Sequence, residues 1–385
     1  MRVAIDVRPA VSAGMTGIGF YTRYLLELLP EVDPAATYVA WYLNAKAILK
    51  PIHRRRFFSN IAGLVERATP FPARLFERLS ERFELPRVEW FTRFDVLFAP
   101  NFLPPPTKTR RLVLTIHDLA FRKFPETAPA ATLRWLGRLD RALEQAAEII
   151  AVSEHTKADL CELYPVEPDR VTVIPHGVDT NVFHPPLPEE VERVRRTLEI
   201  EGPYLVFLGG IEPRKNLPAL VRAFAKLPAR FQHTLVIAGA SVPWNPEGVD
   251  QLRPVVEELR REARQRIVFA GYLSDENKVA LLGGARALVF PSRYEGFGLP
   301  VLEAMACGTP VLTSNVSALP EVAGDAAVLV DPTDEDSIAW GIQLILGNEE
   351  HRERLRQQGF RRAAQFDWRE TARRTAAVLH RAAKA

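Results

Sequence analysis

Cysteine is scarce in this chain of 385 residues, in which Cys161 and Cys307 are the only two. So few thiols exclude a disulfide-rich scaffold and a structural zinc site built from a cysteine cluster. A formal net charge of +3 is too small to indicate a nucleic-acid partner. We therefore expect a protein of a reducing cytoplasm that binds no nucleic acid.

Long uninterrupted apolar runs are also missing. The chain opens on a predicted strand, residues 2–7, with no long apolar region behind it, so no secretory signal is predicted. Between Gly296 and Pro320 the only charged residue is Glu303, but prolines, glycines and polar residues interrupt this stretch, unlike a membrane span. The sequence thus predicts a soluble protein.

The length and the order of apolar segments predict two α/β domains. One hydrophobic core rarely grows to 385 residues, and buried-strand patterns alternate with helical patterns in both halves, which is typical of parallel sheets. A proline-rich segment that ends at Pro188 separates the halves. The predicted parts are an N-terminal domain at 1–182, a C-terminal domain at 183–365 and a terminal helix at 366–385.

The stretch from Arg293 to Ser314 has the pattern of a phosphate-binding loop and helix. It follows an apolar strand pattern and begins with two glycines, which allow the backbone to approach a ligand closely. Pro300 suits the first turn of a helix, and Gly308 and Pro310 end that helix. The positive end of the helix dipole is predicted to face an anion through backbone N–H groups. These belong to Phe297, Gly298 and Leu299.

Two glutamates flank the glycine-rich turn, in the order Glu295, Gly-Phe-Gly-Leu-Pro, Glu303. This pattern resembles the donor site of the retaining glycosyltransferases of family 4, whose GT-B fold has two Rossmann-like domains with parallel sheets facing an interdomain cleft. The resemblance implies that Glu295 contacts the transferred sugar in catalysis and that Glu303 binds the ribose of the nucleotide. The residues alone also fit a glycine-rich turn before an ordinary helix, with one surface and one capping glutamate.

A pair of cations follows the first predicted strand of the C-terminal half. Arg214 and Lys215 come after a double-glycine turn, and an arginine fork with a mobile lysine suits a diphosphate. The resemblance places such catalytic cations on the pyrophosphate of the leaving nucleotide, whereas a solvated pair at a helix end is the alternative. It also implies nucleotide contacts at two turns. These are Gly209 and Gly210, and Gly271, Tyr272 and Leu273.

The N-terminal half offers two candidate ligand loops. Gly17 and Gly19 lie in a predicted loop after the first strand, and the resemblance places them near the donor diphosphate or the acceptor; a plain tight turn is the alternative. His117 and Asp118 follow another predicted strand at its carboxyl end, where open α/β sheets bind ligands. They match the His-Asp position of the family, whose histidine contacts the transferred sugar near its anomeric centre.

The resemblance implies a reaction without a metal or other cofactor, in which a nucleotide diphosphate sugar is the co-substrate. Asp334, Glu335 and Asp336 match the D-x-D signature of a different glycosyltransferase class, but acidic residues commonly open a helix, and this interpretation is preferred. Likeness to bacterial mannosyltransferases favours GDP-mannose over a UDP-sugar as donor. It also implies a saccharide or lipid-linked acceptor in polysaccharide or glycolipid assembly.

Three other functions stay open. A sugar-nucleotide epimerase shares the two-domain fold and would convert its substrate without an acceptor. A nicotinamide-dependent oxidoreductase is disfavoured because no G-x-G-x-x-G with a ribose-binding acid follows a first strand. A non-catalytic sugar-nucleotide-binding module is disfavoured because all the candidate catalytic and ribose-binding side chains are present. These are Glu295, Glu303, Arg214, Lys215 and His117.

The segment from Pro51 to Phe94 departs from the predicted alternation of strands and helices. Residues 71–85 predict an amphipathic helix, which fits either packing on its own domain or weak peripheral contact with an anionic membrane. Its apolar face comprises Leu75, Phe76, Leu79 and Phe83. Arginines lie beside that face, at Arg74, Arg78 and Arg82, and precede it at Arg54, Arg55 and Arg56.

Overall fold

Two parallel β-sheets, one in each half of the chain, organise the fold. The computed structural model describes residues 1–11, 17–45, 57–127, 136–239 and 248–385. One unit comprises Met1–Gly177 with Asp367–Ala385, and the other comprises Val178–Phe366. The α/β class predicted from the sequence is confirmed.

The division falls at Gly177, whereas the sequence predicted it after residue 182. The N–H of Val178 donates to the carbonyl of Phe366 at 3.0 Å. The ring of Phe183 lies against the ammonium group of Lys278, 5.1 Å from it. These contacts place the start of the proline-rich segment with the second unit.

The first unit contains a seven-stranded parallel sheet, in the order β3-β2-β1-β4-β5-β6-β7. Its central strands are apolar and buried along their length, as a parallel sheet requires. The strands are β1 Arg2–Asp6, β2 Thr37–Leu43, β3 Leu64–Thr69, β4 Val96–Ala99, β5 Leu112–Ile116, β6 Glu148–Ala151 and β7 Val171–Val173.

The edge strand β3 was not predicted. Its sequence, LVERAT, places charges in mid-strand and is largely accessible to solvent. It forms by pairing in parallel with β2, where the Tyr42 hydroxyl donates to Glu66 Oε1 at 2.7 Å and Trp41 Nε1 donates to Thr69 Oγ1 at 2.9 Å. Because this pairing is long-range, local apolar patterning does not reveal it.

The helices of the first unit correct one prediction about its glycines. Gly17 and Gly19 lie in the first turn of a helix that runs to Val32, not in a loop, and Pro30 lies inside that helix. Ser153 is the N-cap of helix Glu154–Leu163, since its side chain accepts from the N–H of Thr156 at 3.0 Å. The helices are Gly17–Val32, Ala73–Phe83, Ala120–Lys123, Leu136–Gln145, Glu154–Leu163 and Trp368–Ala382.

The C-terminal helix, Trp368–Ala382, packs against the rest of the first unit. The indole of Trp368 stacks on Tyr24, with ring centroids 4.7 Å apart, and Thr371 Oγ1 donates to the carbonyl of Pro175 at 2.8 Å. Gly177 lies so close that a methyl group there would come within 2.2 Å of the backbone nitrogen of Trp368. The terminal helix is thus an integral part of the first unit.

The second unit contains a six-stranded parallel sheet, in the order β10-β9-β8-β11-β12-β13. Its strands are β8 Tyr204–Leu208, β9 Thr234–Ala238, β10 Ile267–Gly271, β11 Ala287–Phe290, β12 Val311–Ser314 and β13 Ala327–Val330. Its helices are Pro188–Thr197, Leu217–Ala225, Gly248–Glu257, Arg261–Arg264, Asp275–Gly283, Leu299–Ala306, Leu319–Ala323, Glu335–Gly347 and Glu349–Ala363.

The acidic run at residues 334–336 opens a helix, as predicted. Asp334 is the N-cap of helix Glu335–Gly347, and its side chain accepts from the N–H of Asp336 at 2.8 Å. Lys226 pairs with Asp336 at 2.7 Å and with Glu335 at 3.1 Å. Capping and ion pairing thus account for these three acids.

Among the residues that the structure describes, no helix combines the length and the apolar character needed to cross a membrane.

Candidate active site

The strand order of the second sheet reverses between β8 and β11. From β8 the chain adds strands outward to β10, then returns to the other side of β8 and continues through β13. Ligands of open α/β sheets bind outside the carboxyl ends of the strands at such a reversal. The loops that follow β8 and β11 carry Arg214, Lys215 and Glu295, and therefore lie at this position.

A buried ion cluster joins the two loops. Lys215 Nζ donates to Glu295 Oε1 at 2.6 Å, and Arg214 Nη1 donates to Glu295 Oε2 at 2.8 Å. Arg214 Nε also pairs with Glu212 Oε2 at 3.2 Å. Glu295 is only 6% exposed and Lys215 7%. The structure thus brings together three of the four predicted catalytic side chains.

The electrostatics of the cluster follow from this pairing. Burial by itself would raise the pKa of Glu295, but the charges of Arg214 and Lys215, and the hydrogen bonds that both donate, lower it to about 2. Glu295 is therefore an anion at neutral pH. The two cations are balanced by Glu295 and Glu212, a balance that the sequence did not reveal.

Neighbouring side chains that the sequence did not single out hold the cluster in place. Asn216, in the left-handed backbone conformation, donates through Nδ2 to the carbonyls of Pro291 and Pro332 at 3.1 and 2.7 Å. Arg293 Nε donates to Asn216 Oδ1 at 3.1 Å. The N–H of Glu295 donates to the Ser317 hydroxyl at 3.1 Å. Asn216 and Ser317 both have the left-handed backbone conformation, in which glycine is usual. Because neither residue is a glycine, the sequence did not indicate this backbone constraint.

The predicted helix after the glycine-rich turn is present as Leu299–Ala306. Gly298 is its N-cap with φ of 107°, a left-handed conformation that favours glycine, and a Cβ there would also lie 2.8 Å from Cδ2 of Leu319. Gly308, with φ of 77°, follows its C-terminus as predicted. Phe297 is buried against Phe366, and Leu299 opens the first turn. The N-terminus of this helix, which is the positive end of its dipole, therefore follows Glu295 of the ion cluster closely in the sequence.

Glu303 lies one turn farther along this helix, in a different environment. Burial and the charge of Asp275 raise its pKa, while the charge of Lys278 opposes them. Lys278 pairs with Asp275 at 2.9 Å. The sequence did not single out Lys278 as a neighbour of Glu303, because it precedes Glu303 by 25 positions and lies on another helix, Asp275–Gly283.

The predicted glycine turns of the second unit meet at the carboxyl ends of adjacent strands. A Cβ on Gly239 would lie 1.8 Å from the carbonyl oxygen of Gly209, and the N–H of Gly239 donates to Gly271 at 2.9 Å. Gly210 follows Gly209 outside β8. After Gly271, Tyr272 is 82% exposed, and Leu273 precedes the capping Ser274. Backbone from three adjacent strands thus forms the rim at their carboxyl ends, and an exposed aromatic ring follows it at Tyr272.

In the first unit, His117 and Asp118 directly follow β5. His117 Nε2 lies 3.0 Å from the carbonyl of Pro100, to which it donates. Burial lowers the pKa of His117, so the ring is neutral at physiological pH and its Nδ1 is an acceptor. Asp118 Oδ1 accepts from the N–H of Ala120 at 3.1 Å, which starts the short helix behind it.

His117 belongs to a buried aromatic cluster that the sequence did not predict. The ring of His176 stacks on it with centroids 5.4 Å apart, and Tyr21 meets the edges of both histidines at 4.9 Å. Trp368 of the C-terminal helix lies 5.6 Å from His176. His176 stands just before the proline-rich segment that separates the halves, and its sequence surroundings did not indicate this cluster.

The two N-terminal glycines differ in their surroundings. Gly17 is exposed, and a Cβ there would meet no atom within 4 Å. Gly19 is buried in the same first helical turn. Their N–H groups therefore belong to a helix N-terminus, and their predicted approach to a ligand stays a prediction.

Two family models together match most of the chain. The family described as Glycosyltransferase Family 4 matches residues 17–182, and that described as Glycosyl transferases group 1 matches residues 189–362. The chain is 35% identical over 278 residues to the O-antigen chain mannosyltransferase B of Escherichia coli, which covers 71% of each chain.

Two further relatives match less of their own length. The D-inositol 3-phosphate glycosyltransferase of Jonesia denitrificans is 34% identical over 70% of this chain and 66% of its own. The serotype-specific mannosyltransferase WbdA of Escherichia coli is 32% identical over 60% of this chain, which spans 28% of that protein.

Solved structures share the fold. Sucrose-phosphate synthase from Thermosynechococcus elongatus superposes with a TM-score of 0.76 at 24% identity, over 99% of this chain and 98% of that one. Anabaena Alr3699/HepE in complex with UDP-glucose gives a TM-score of 0.70 at 18% identity, over 99% and 100% of the two chains.

Proposed function

Because the chain belongs to the glycosyltransferases of family 4 and group 1 and has their GT-B fold, we propose that it transfers a hexose from a nucleotide diphosphate sugar to a hydroxyl acceptor. The ion cluster of Arg214, Lys215 and Glu295 at the strand-order reversal carries this proposal. It supplies two oriented cations where an open α/β sheet binds its ligand.

The proposed donor is GDP-mannose. The support is the likeness to O-antigen chain mannosyltransferase B and to WbdA, both named as mannosyltransferases. The similar fold of HepE, a protein solved with UDP-glucose, keeps a UDP-sugar as the second candidate donor. By the same likeness to an O-antigen enzyme, we place the reaction in surface polysaccharide or glycolipid assembly.

The side chains have distinct proposed roles. When the bond between the anomeric carbon and the β-phosphate oxygen breaks, the electron pair leaves with the nucleoside diphosphate, the acceptor oxygen bonds to the anomeric carbon, and the hydroxyl proton passes to the departing phosphate. Arg214, Lys215 and the N-terminus of helix Leu299–Ala306 would stabilise that charge without reorganising. Glu295 would contact the transferred sugar, Glu303 would accept from the ribose hydroxyls, and His117 would face the sugar near its anomeric centre.

We expect the purified protein to form product from GDP-mannose only when a hydroxyl acceptor is present. Incubation with GDP-mannose, UDP-glucose or UDP-galactose, with and without mannose-terminated oligosaccharides and lipid-linked saccharides, is the measurement. NMR coupling constants of the product should show the α configuration of the donor. A β-linked product would contradict retention, and conversion of the nucleotide sugar without acceptor would identify an epimerase.

The reaction is also proposed to proceed without a divalent ion. Arg214 and Lys215 provide the positive charge that a metal would otherwise supply, and Asp334 caps a helix. We expect initial rates to change less than twofold in excess EDTA. Full loss of activity on chelation, with recovery on adding Mn²⁺ or Mg²⁺ but not Na⁺, would contradict this proposal.

A weak peripheral contact with an anionic membrane is proposed for helix Ala73–Phe83. Its apolar face is divided: Phe76 is buried against Trp41 at 5.8 Å, whereas Leu75 and Phe83 are 45% and 57% exposed. Packing on the unit therefore uses only part of the face. The arginines at 54–56, named with this segment, lie outside the described residues.

We expect the protein to float with anionic liposomes at low salt and to stay behind at about 0.5 M NaCl, because salt screens headgroup attraction over a few ångströms. The variant with Ser at Arg54, Arg55, Arg56, Arg74 and Arg78 should lose most of this binding. A control variant, Arg253→Ser with Arg361→Ser, removes two exposed arginines elsewhere and should float normally. Absence of binding by the unmodified protein would refute the contact.

A further inference from the structure

The second unit contains a cavity at the amino ends of its strands, whereas the ion cluster lies beyond their carboxyl ends. Its volume is about 540 Å³, and it is lined by the residues that immediately precede β8, β11 and β12, namely Pro203, Arg286 and Pro310. These are the amino ends of the strands, whereas Glu295 follows the carboxyl end of β11. The cavity is therefore separate from the candidate active site.

Four arginines face this cavity. They are Arg195, Arg286, Arg352 and Arg356, and the acids that line it are Glu349 and Glu353. With Glu192, which pairs with Arg195, three glutamates match the four arginines and leave an excess of one positive charge. Guanidinium groups that converge on one concave surface repel one another, and a bound anion would relieve that repulsion.

Three of the four guanidinium groups are held in place by neighbours. Arg352 Nη1 donates to the carbonyls of Ile345 and Leu346 at 2.9 and 3.0 Å, and its Nη2 pairs with Glu349. Arg356 pairs with Glu353 at 3.3 Å and lies over the ring of Phe360.

Arg195 is anchored from the other side of the cavity. Its Nη1 donates to Glu192 at 2.8 Å and its Nη2 to the carbonyl of Gly202 at 3.1 Å. With Arg352 and Arg356, it forms a pre-oriented set of donors, which reduces the entropy that a ligand would have to offset on binding.

Arg286 differs from these three. It is exposed, and its side chain makes no hydrogen bond or ion pair within the described part of the chain. Its charge lies close enough to Arg352 to add to the effect of burial in lowering the pKa of that arginine. An exposed arginine close to another arginine is a poor stabilising element, but a suitable one for holding an anion.

Neutralisation of helix C-termini explains only part of the set. Helices Asp275–Gly283, Leu299–Ala306 and Glu335–Gly347 all end at this edge of the sheet, and cations stabilise such ends. Arg352 fills that role through the carbonyls of the third helix. Arg286 donates to no carbonyl in the described residues, so this role does not account for it.

We propose that this cavity is a second ligand site, for a small molecule that carries one or two phosphate groups. Guanidinium forks bind phosphate oxygens in pairs. A volume of about 540 Å³ lies within the usual range for small-molecule sites and accommodates a sugar phosphate or a nucleotide. The site depends on none of the residues proposed for glycosyl transfer.

Calorimetric titration of the full chain with pyrophosphate tests the proposal. We expect two equivalents to bind to the unmodified protein and one to Lys215→Met, in which the candidate donor site is impaired. Arg286→Gln combined with Arg356→Gln should also retain one equivalent, with affinity at the cavity weakened about tenfold or more. The control Arg361→Gln removes an exposed arginine of the same helix as Arg356, outside the cavity, and should bind two.

The result decides between a ligand site and helix stabilisation. A single equivalent in the unmodified protein that Lys215→Met abolishes, or two unchanged equivalents in the Arg286/Arg356 variant, would overturn the proposal, whereas a single equivalent that Lys215→Met retains and the Arg286/Arg356 variant weakens would support the cavity and count against the candidate donor site. A lowered Tm of that variant together with a single equivalent that Lys215→Met abolishes would assign the arginines to the helix ends. Parallel titrations of Lys215→Met with orthophosphate, mannose 1-phosphate and GMP then distinguish an inorganic, a sugar-linked and a nucleotide phosphate.

Discussion

Lys215→Met should lower turnover at saturating donor by about a hundredfold or more, and Arg214→Ala and Glu295→Ala should be similarly severe. Departure of a nucleoside diphosphate places negative charge on its β-phosphate, and the loss of one preorganised stabilising contact typically costs about 2.7–4 kcal/mol of barrier. Lys215 is buried and held at 2.6 Å from Glu295, so solvent has little access to this position and cannot readily compensate for the lost positive charge in the variant.

The structure adds a stability effect to this prediction. Without the lysine, Glu295 keeps Arg214 as its main cation, and breaking a buried pair by removing one partner commonly costs about 3–5 kcal/mol. The Tm of each variant must therefore be measured as well, and the kinetics must be recorded at a temperature where the variant stays folded. Methionine keeps much of the lysine volume and limits any cavity.

A matched control comes from the same unit. Lys226 is a half-exposed lysine that pairs with Asp336 at 2.7 Å, and Lys226→Met should change turnover less than twofold, since exposed ion pairs contribute little. Turnover of Lys215→Met near that of the unmodified protein, with only the KM for donor raised, would show that the lysine binds donor without stabilising the departing charge.

Gly177→Ala should destabilise the first unit by about 3 kcal/mol, which corresponds to a fall in Tm of roughly 6–12 °C for a unit of this size. The added methyl group would lie 2.2 Å from the nitrogen and 2.7 Å from the Cα of Trp368, and both are backbone atoms that no rotamer change can move. Relief requires the C-terminal helix to shift away from the loop that ends in His176 and Gly177.

The same shift should be detectable locally. Trp368 stacks on Tyr24 and lies beside His176, so indole fluorescence and protease sensitivity near residue 367 should change together with Tm. Gly17→Ala is the matched control, because a methyl group there meets no atom within 4 Å and alanine suits a helix. An equal Tm for both variants would contradict the tight packing at Gly177.

Local pattern was sufficient for most strands and for the helix after the glycine-rich turn. Buried parallel strands are continuous apolar runs, and glycine and proline mark helix ends, as at Gly298 and Gly308. It failed for β3, whose charged sequence becomes a strand through pairing with β2. It also failed at Gly17, where glycines in series were interpreted as a loop although they begin a helix.

The sequence by itself determined which chemical groups are available: paired glutamates around a glycine-rich turn, an Arg-Lys pair after a strand, and a histidine at a strand end. Only the tertiary structure decided their partners. Glu295 pairs with Lys215, 80 positions away, because β8 and β11 are neighbours in the sheet. His117 stacks on His176 because β5, β6 and β7 are adjacent and bring the chain that follows β7 beside it. Ion pairing and stacking act over a few ångströms, and strand order determines those distances, whereas spacing along the chain does not.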